Sequence, residues 1–271
     1  MRPTLLILLL AGIPLFGADA QKAPSDQYEK TPKPAVTRKI IGTGMFLTEF
    51  IGLPLLEATF SWEHSLRLQN PFKYIKETEP YIQDELWHFV AASTFTELNY
   101  GILKNYFGAK KPILAAGIIS MVSWTMLECL DGMAGSGFSL RDQAGHTLGA
   151  GFGMLSLAYP DMPLHMRVGV KSWPSLFEAF GDAISSGNYS ESLADRYSFM
   201  KVELIYLHES SLYGGLAVST TEETEHNIFG ITAGFDFVKW LNKRSQGWWN
   251  APLDFVSNHF VTSLTLTWWF E

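Results

Sequence analysis

The sequence predicts an α+β protein in which about four apolar helices precede an antiparallel sheet of about five strands. Up to about residue 160, apolar segments of roughly 17–20 residues follow one another, and in "EPYIQDELWHFVAASTFTELNYGILKNYF" the apolar residues recur three to four positions apart, as on the buried face of a helix. After Pro163, short segments rich in β-branched and aromatic residues alternate with polar positions, as strands do. Four regions follow in chain order: a signal peptide (1–20), a linker (21–37), a helical bundle (38–160) and a strand-rich region packed on the bundle (161–271).

The first twenty residues resemble a secretory signal peptide. Arg2 gives a basic start, "LLILLLAGIPLFG" an apolar centre and "ADA" before Gln21 a small-residue cleavage site. An uncleaved N-terminal anchor is the alternative. The next segment, "QKAPSDQYEKTPKPAVT", is polar and carries prolines, as linkers do. We therefore expect export to the periplasm or cell envelope of a bacterium.

Four helices are predicted in the bundle. The first begins near Arg38 and meets a kink or break at Pro54, and the second ends near Gly108. The third begins at Pro112 and runs roughly through Leu130.

The limits of the last two helices are marked by local signals. Gly132 is predicted to stop the third helix. The fourth begins at Ser139, because Asp142 three residues later completes a capping-box pattern, and it runs through "AGHTLGAGFGMLSLA".

Five segments of the C-terminal region read as strands: "HMRVGVKSW", "YSFMKVELIYL", "GGLAVSTT", "NIFGITAGFDFV" and "FVTSLTLTWWF". In the last of them Leu264, Leu266, Trp268 and Phe270 share one face, because side chains alternate along a strand. A closed outer-membrane barrel needs at least about eight strands, so an open sheet is favoured, and the aromatic C-terminal strand keeps the barrel as an alternative.

The composition lies between those of soluble and membrane proteins. Charged residues make up 17% of the chain, below the roughly 25% of ordinary soluble domains, and apolar residues make up 47%. The mean hydropathy of +0.06 is nevertheless too low for a protein built mainly of lipid-exposed helices. We therefore expect membrane lipid or another envelope component as the partner, and the sequence names no protein partner.

The charge and the cysteine content argue against nucleic-acid binding, an internal disulfide and a nucleophilic cysteine. The net charge of −7 argues against a nucleic-acid partner, because no basic stripe is available to neutralise phosphates. Cys129 is the only cysteine, so no internal disulfide can form. An acidic neighbour also disfavours its thiolate, and "GFSLRD" lacks the nucleophile elbow of serine hydrolases.

The candidate site consists of carboxylates and histidines at helical spacing. Asp84 with His88, and Asp142 with His146, lie four residues apart, so each pair presents a carboxylate and an imidazole on one helix face. Such pairs suit general-base work or metal binding. If three helices pack side by side, these four residues converge with two further acids at the end of the third helix, Glu128 and Asp131.

Each of these residues also has a structural interpretation. Asp142 could serve only the capping box, and Asp131 with Gly132 could form only a turn. His88 and His146 could be buried histidines with satisfied hydrogen bonds. A divalent metal is a possible cofactor, and the sequence alone does not decide between metal binding, catalysis and helix packing.

Three motifs resemble the YfiM-like family of predicted periplasmic lipoproteins, a family of unknown function. The motifs are "YIQDELWHF", "ECLDG" and "GFSLRDQAGHTLGAG", and the resemblance covers roughly residues 55–160. A more distant resemblance is to VanZ-like membrane proteins. His146 stands where the family usually has Asn, Glu85 stands where it has Lys, and the lipid-attachment cysteine is missing. The resemblance implies an envelope location and a shared polar site.

Two functions remain from the sequence. The first is a membrane-associated envelope protein, structural or lipid-binding, whose polar cluster locks helix packing and whose aromatic sheet faces membrane or a partner. The alternative is a metal- or water-dependent hydrolase of envelope lipid or glycan. In that enzyme His88 or His146 is the general base, Asp84 or Asp142 orients it, and Glu128 and Asp131 hold a metal or a second proton.

Overall fold

The computed structural model describes residues 36–37, 39–47, 70–73, 82–134, 137–171, 200–220, 227–244 and 263–270, together with residues 174, 177, 181 and 185. The predicted signal peptide, most of the linker, and the predicted break at Pro54 lie outside the described residues. Helices precede a five-stranded antiparallel sheet, which confirms the predicted α+β class.

Three long helices form the bundle. They are α1 (Ile82–Ile102), α2 (Pro112–Ala134) and α3 (Leu140–Ala158). Helix α1 continues into a π-helical turn, Leu103–Phe107, and Gly108 closes it in the left-handed conformation with φ of 62°. Residues 39–47 are also helical and belong to the first predicted helix.

The predicted stop at Gly132 is wrong, since α2 continues to Ala134. A Cβ atom at Gly132 would lie 2.2 Å from the carbonyl oxygen of Pro71, which belongs to the 3₁₀ turn Pro71–Lys73. The glycine therefore permits close contact between that turn and the helix, and it does not end the helix.

Five strands lie in the sheet in sequence order, and each pairs antiparallel with the next. They are β1 (Leu164–Val170), β2 (Met200–Leu207), β3 (Leu212–Thr220), β4 (Asn227–Asp236) and β5 (Ser263–Phe270), and the short helix α4 (Phe237–Asn242) follows β4. Each strand overlaps one of the predicted segments; β2, β4 and β5 fall within theirs, whereas β1 begins one residue and β3 two residues before the predicted segment.

The sheet is strongly curled. Arg167 on β1 is in register with Gly230 on β4, six residues from Asp236, so a flat sheet would hold Arg167 and Asp236 more than about 20 Å apart. Instead the Arg167 Nη1 and Asp236 Oδ2 atoms lie 2.6 Å apart. On the same face, Lys201 Nζ on β2 donates a hydrogen bond to Thr267 Oγ1 on β5 at 2.9 Å. This face is therefore concave.

The concave face carries the charged residues of the sheet. Arg167, Lys201, Glu203 and Asp236 are all buried, and Lys201 Nζ lies 2.6 Å from Glu203 Oε1. Thr232 Oγ1 donates a hydrogen bond to that same carboxylate oxygen. The four charges thus form two ion pairs away from solvent.

The opposite, convex face is apolar and exposed. Leu204, Leu216, Ile231 and Trp268 form one continuous cross-strand row on it. The term convex apolar face is used below for ten exposed residues of these strands: Leu164, Leu204, Tyr206, Leu212, Leu216, Phe229, Ile231, Leu266, Trp268 and Phe270. The strand residues that the structure describes place no charged side chain on this face.

Helix α1 packs on one corner of the convex side. Val90 of α1 forms a buried cluster with Val168 and Val202, and Gln83 Nε2 donates a hydrogen bond to the Met200 carbonyl oxygen at 3.0 Å. The start of α1, where Asp84 lies, is thereby fixed beside one end of the sheet.

Helix α2 also exposes an apolar stripe, formed by Leu114, Ile118, Val122 and Met126 at intervals of four residues. Among the described residues, α2 alone is long and apolar enough to cross a membrane. Core helices of soluble proteins pass the same test, and 39% of the most apolar part of α2 is buried.

Candidate functional site

Helices α1 and α3 approach closely because α3 presents glycines to α1. A Cβ atom at Gly145 would lie 2.7 Å from the Glu85 carbonyl oxygen, and one at Gly149 would lie 2.1 Å from the Phe89 carbonyl oxygen. Gly153 makes a similar approach to Ser93. Spaced by four residues, these glycines let the polar side chains of the two helices meet.

His88 is the centre of the resulting cluster. Its Nδ1 lies 2.8 Å from His146 Nε2, a hydrogen-bond distance. Its Nε2 lies 3.5 Å from Asp84 Oδ1 and 3.6 Å from Asp142 Oδ2. The structure thus brings together both predicted carboxylate–imidazole pairs around one ring.

His146 is held neutral inside the bundle. It is fully buried and stacks on the Trp124 indole, with ring centroids 4.4 Å apart. Burial and the charge of His88 lower the pKa of His146 to about 2. A neutral imidazole can accept from His88 through Nε2, and its proton then resides on Nδ1.

Glu128 of α2 faces the other side of His146. The distance from Glu128 Oε1 to His146 Nδ1 is 3.9 Å, too long for a hydrogen bond. Burial, supported by the charge of Asp142, raises the pKa of Glu128 to about 8. Glu128 is therefore mostly protonated at neutral pH, and with a neutral His146 it forms no ion pair.

The predicted capping box is partly replaced. Ser139 is the N-cap of α3 and its hydroxyl accepts from the Asp142 backbone N–H at 3.1 Å. The Ser139 backbone N–H, which a capping box offers to the third residue of the helix, donates to Glu128 Oε2 at 3.2 Å. Glu128 thus ties the start of α3 to α2, while the Asp142 carboxylate faces His88.

Asp131 is the one predicted site residue that is not part of the contacts described around His88 and His146. It is half-buried on α2, and its charge is among the influences that raise the pKa of Glu128. Asp131 thus acts on the cluster through the electric field.

The charge state of His88 differs from that of His146. Burial disfavours its charged form, but the neighbouring carboxylates of Asp84 and Asp142 outweigh burial and raise the pKa of His88. The His88 side chain is 25% exposed, so the proton it holds between two carboxylates can exchange with solvent. The cluster is suited to holding and moving a proton.

Two groups of three side chains have donor atoms within 4.8 Å of one another and could hold a metal ion. The outer group is Asp84, His88 and Asp142, and the inner group is His88, Glu128 and His146. Imidazole and carboxylate donors together suit divalent transition metals.

The surroundings of Cys129 disfavour a nucleophilic thiolate. Burial and the charge of Glu128 raise the pKa of the Cys129 thiol. Its thiolate is therefore scarce at neutral pH.

Comparison of the chain with protein-family models, curated proteins and solved structures found no match. The YfiM-like resemblance therefore stays a prediction from the quoted motifs.

Some important residues were not predicted from the sequence. Trp124 stacks on His146, and Gly145 and Gly149 let α1 approach α3. The four-residue spacing of the glycines was a readable signal for close helix packing. For Trp124 no signal existed, because its contact joins two helices.

The raised pKa of Glu128 predicts a pH-dependent stability that Glu128→Gln removes. Its folded-state pKa of about 8 exceeds the usual 4.5, so its contribution is fully present below pH 4.5 and is lost as pH rises through 8. Between these limits we expect the wild type to lose roughly 5 kcal/mol relative to the variant. Urea unfolding followed by circular dichroism, with a chelator present, measures this; parallel pH curves for the two proteins would contradict it.

Proposed function

We propose that this protein is a membrane-associated protein of the bacterial cell envelope that contacts lipid through the convex apolar face of its sheet. The observation that carries the proposal is the polarity of the curled sheet, which has apolar residues outside and four charges inside. Soluble antiparallel sheets commonly show the reverse arrangement.

The cost of exposing apolar side chains to water supports a lipid environment. On β5, Leu266, Trp268 and Phe270 are 68%, 58% and 56% exposed. Moving such a side chain from water into hydrocarbon gains about 1 kcal/mol or more, and the convex apolar face contains ten of them. Monomeric soluble proteins rarely expose a continuous apolar patch of this kind.

The inner face supports the same conclusion. Sheets embedded in membranes place apolar side chains toward lipid and polar ones toward the interior. The Arg167–Asp236 and Lys201–Glu203 pairs follow that rule. The apolar stripe of α2, which follows Lys110 and Lys111, adds a second surface suited to lipid with cations at its end. The predicted signal peptide and the YfiM-like resemblance are consistent with an envelope location.

Neighbouring tryptophans on β5 provide a direct test. Trp268 belongs to the convex apolar face, and Trp269 is its neighbour on the concave face. We expect phospholipids with brominated acyl chains to quench fluorescence of the reconstituted full-length protein. Trp268→Phe should remove part of the quenched signal, because its indole contacts the acyl chains.

The matched control is Trp269→Phe, which should lower total fluorescence and leave the quenched amplitude unchanged. Equal loss of quenched signal in both variants would contradict the proposed orientation. A wild-type protein that is neither quenched by brominated lipid nor retained on vesicles during flotation would contradict membrane contact itself.

A second candidate, hydrolysis of envelope lipid or glycan through activated water, is favoured by the surroundings of His88. This imidazole is partly exposed, lies between two carboxylates and is hydrogen-bonded to a neutral histidine. If this candidate is correct, the wild type should release headgroups or glycan fragments, and His88→Gln should abolish that release. A wild-type protein that releases neither would contradict hydrolysis.

A further inference from the structure

We propose that Asp84, His88 and Asp142 bind one divalent transition-metal ion, for which Zn²⁺ fits the donors, and that His146 and Glu128 orient His88 for it. This site is independent of lipid contact, because it lies in the helical bundle and uses no residue of the sheet. Asp84 and His88 come from α1, and Asp142 comes from α3, so the ion would join the two helices.

The distances fit an ion better than direct hydrogen bonds. His88 Nε2 lies 3.5 Å from Asp84 Oδ1 and 3.6 Å from Asp142 Oδ2, both longer than the usual 2.7–3.2 Å of an N–H···O bond. Ligands bound tetrahedrally to Zn²⁺ at about 2.0–2.2 Å are separated by about 3.3–3.6 Å. The imidazole nitrogen and each carboxylate oxygen are thus already spaced as on the edges of a zinc tetrahedron.

The second observation is how the other side of His88 is held. Histidines that bind metal through one ring nitrogen usually donate the other N–H to an acceptor, which fixes the ring. His88 Nδ1 lies 2.8 Å from His146 Nε2, so Nε2 is left facing the two aspartates.

The position of His146 fits a role in orienting His88. It is fully buried, and its Nδ1 has no hydrogen-bond partner but faces Glu128 Oε1 across 3.9 Å. A buried polar atom without a partner is costly, so its retention calls for a reason. Orientation of His88 by a carboxyl–imidazole–imidazole series supplies one.

The charges also favour a cation at the outer group. Asp84 and Asp142 are both buried, and the arginine next to Asp142, Arg141, is bound to Glu85 with Nε and Oε1 2.5 Å apart. A divalent ion carries enough positive charge to balance both carboxylates.

The inner group is less suitable for the ion. At 2.8 Å, His88 Nδ1 and His146 Nε2 are at the distance of a shared proton, shorter than the spacing of two zinc ligands. His146 and Glu128 are also fully or almost fully buried, whereas the His88 side chain is 25% exposed. The outer group can therefore exchange an ion with solvent.

Three protein ligands leave one position for water, as in catalytic zinc sites, and zinc lowers the pKa of such a water to near 7. His88, Asp84 and Asp142 would hold the ion, and His146 and Glu128 would keep His88 in the correct orientation and tautomer. The site therefore supplies what the hydrolase candidate needs, whether or not the substrate is a lipid.

The test is zinc binding by the full-length protein in detergent after treatment with a chelator. We expect one Zn²⁺ per chain by elemental analysis, a rise in Tm on adding Zn²⁺, and visible absorption of tetrahedral Co²⁺ after substitution. Asp84→Asn and Asp142→Asn should each weaken zinc binding about 100-fold or more and abolish the Tm shift. Glu128→Gln replaces a mostly neutral carboxyl group with a neutral amide of the same shape, so it should weaken zinc binding much less than either aspartate change.

Glu85→Gln is the matched control, because Glu85 is a neighbouring acid on α1 that pairs with Arg141, and it should leave zinc binding unchanged. The two aspartates lie on different helices, so one variant still tests the site if the other does not fold. The absence of stoichiometric binding by the wild type would overturn the proposal. Zinc binding that survives both aspartate changes would also overturn it. If that remaining binding were lost on changing Glu128 or His146, the ion would lie in the inner group.

Discussion

Asp236→Asn is expected to lower the free energy of unfolding by about 3–5 kcal/mol, because it leaves the Arg167 guanidinium charged and buried without its carboxylate. Both side chains of this pair are 0% exposed. Asp236 also caps α4 by accepting from the Lys239 backbone N–H at 2.8 Å. Asparagine caps helices equally well, so the loss reports on the charge pair and not on the cap.

Urea unfolding of the wild type and the variant in the same detergent measures this effect. Two comparisons isolate the buried charge. Glu85→Gln removes a pair whose Arg141 is 39% exposed, and it should cost no more than about 1 kcal/mol. The double change Arg167→Met with Asp236→Asn should recover much of the stability, since no buried charge is then unpaired. Equal stability of Asp236→Asn and the wild type would mean that water reaches the concave face.

Gly149→Ala is expected to lower the free energy of unfolding by about 2–3 kcal/mol, because the added methyl group has no space between α3 and α1. Its Cβ would lie 2.1 Å from the Phe89 carbonyl oxygen, and a backbone atom of a packed helix cannot move aside alone. Separation of α1 from α3 would also displace His88 from Asp142, so the zinc affinity should fall together with stability.

Gly151→Ala provides the comparison within the same helix. A methyl group added at Gly151 would meet no atom within 4 Å, and alanine favours helix over glycine by up to about 1 kcal/mol. This variant should therefore be as stable as the wild type or slightly more stable, with unchanged zinc binding. Thermal and urea unfolding of both variants test the pair, and similar effects at the two positions would refute the close packing of α1 and α3.

The elements of this fold were readable from local patterns. Helix α1 was predicted from apolar residues at three-to-four spacing, and the starts of α2 and α3 were predicted from Pro112 and Ser139. The strands follow from alternation, and β5 is the clearest of them. Gly132 was misread, because the carbonyl group that makes a glycine necessary there belongs to a distant turn.

The candidate site was partly readable. Four-residue spacing placed Asp84 with His88 and Asp142 with His146 on their helix faces. The distances between helices were not readable, and they decide that His88 contacts both aspartates while Asp131 is not part of these contacts. The shifted pKa values of Glu128 and His146 depend on burial, which is also a property of the packed bundle.

The sequence by itself determined which residues can share a helix face or a strand face, because side-chain direction repeats locally along the backbone. It thereby determined that Leu266, Trp268 and Phe270 lie together. Only the tertiary structure decided that this apolar face points outward while Arg167 and Asp236 meet inside. The curl of the sheet makes one face concave, and curl arises from the twist and pairing of all five strands together, which no single segment encodes.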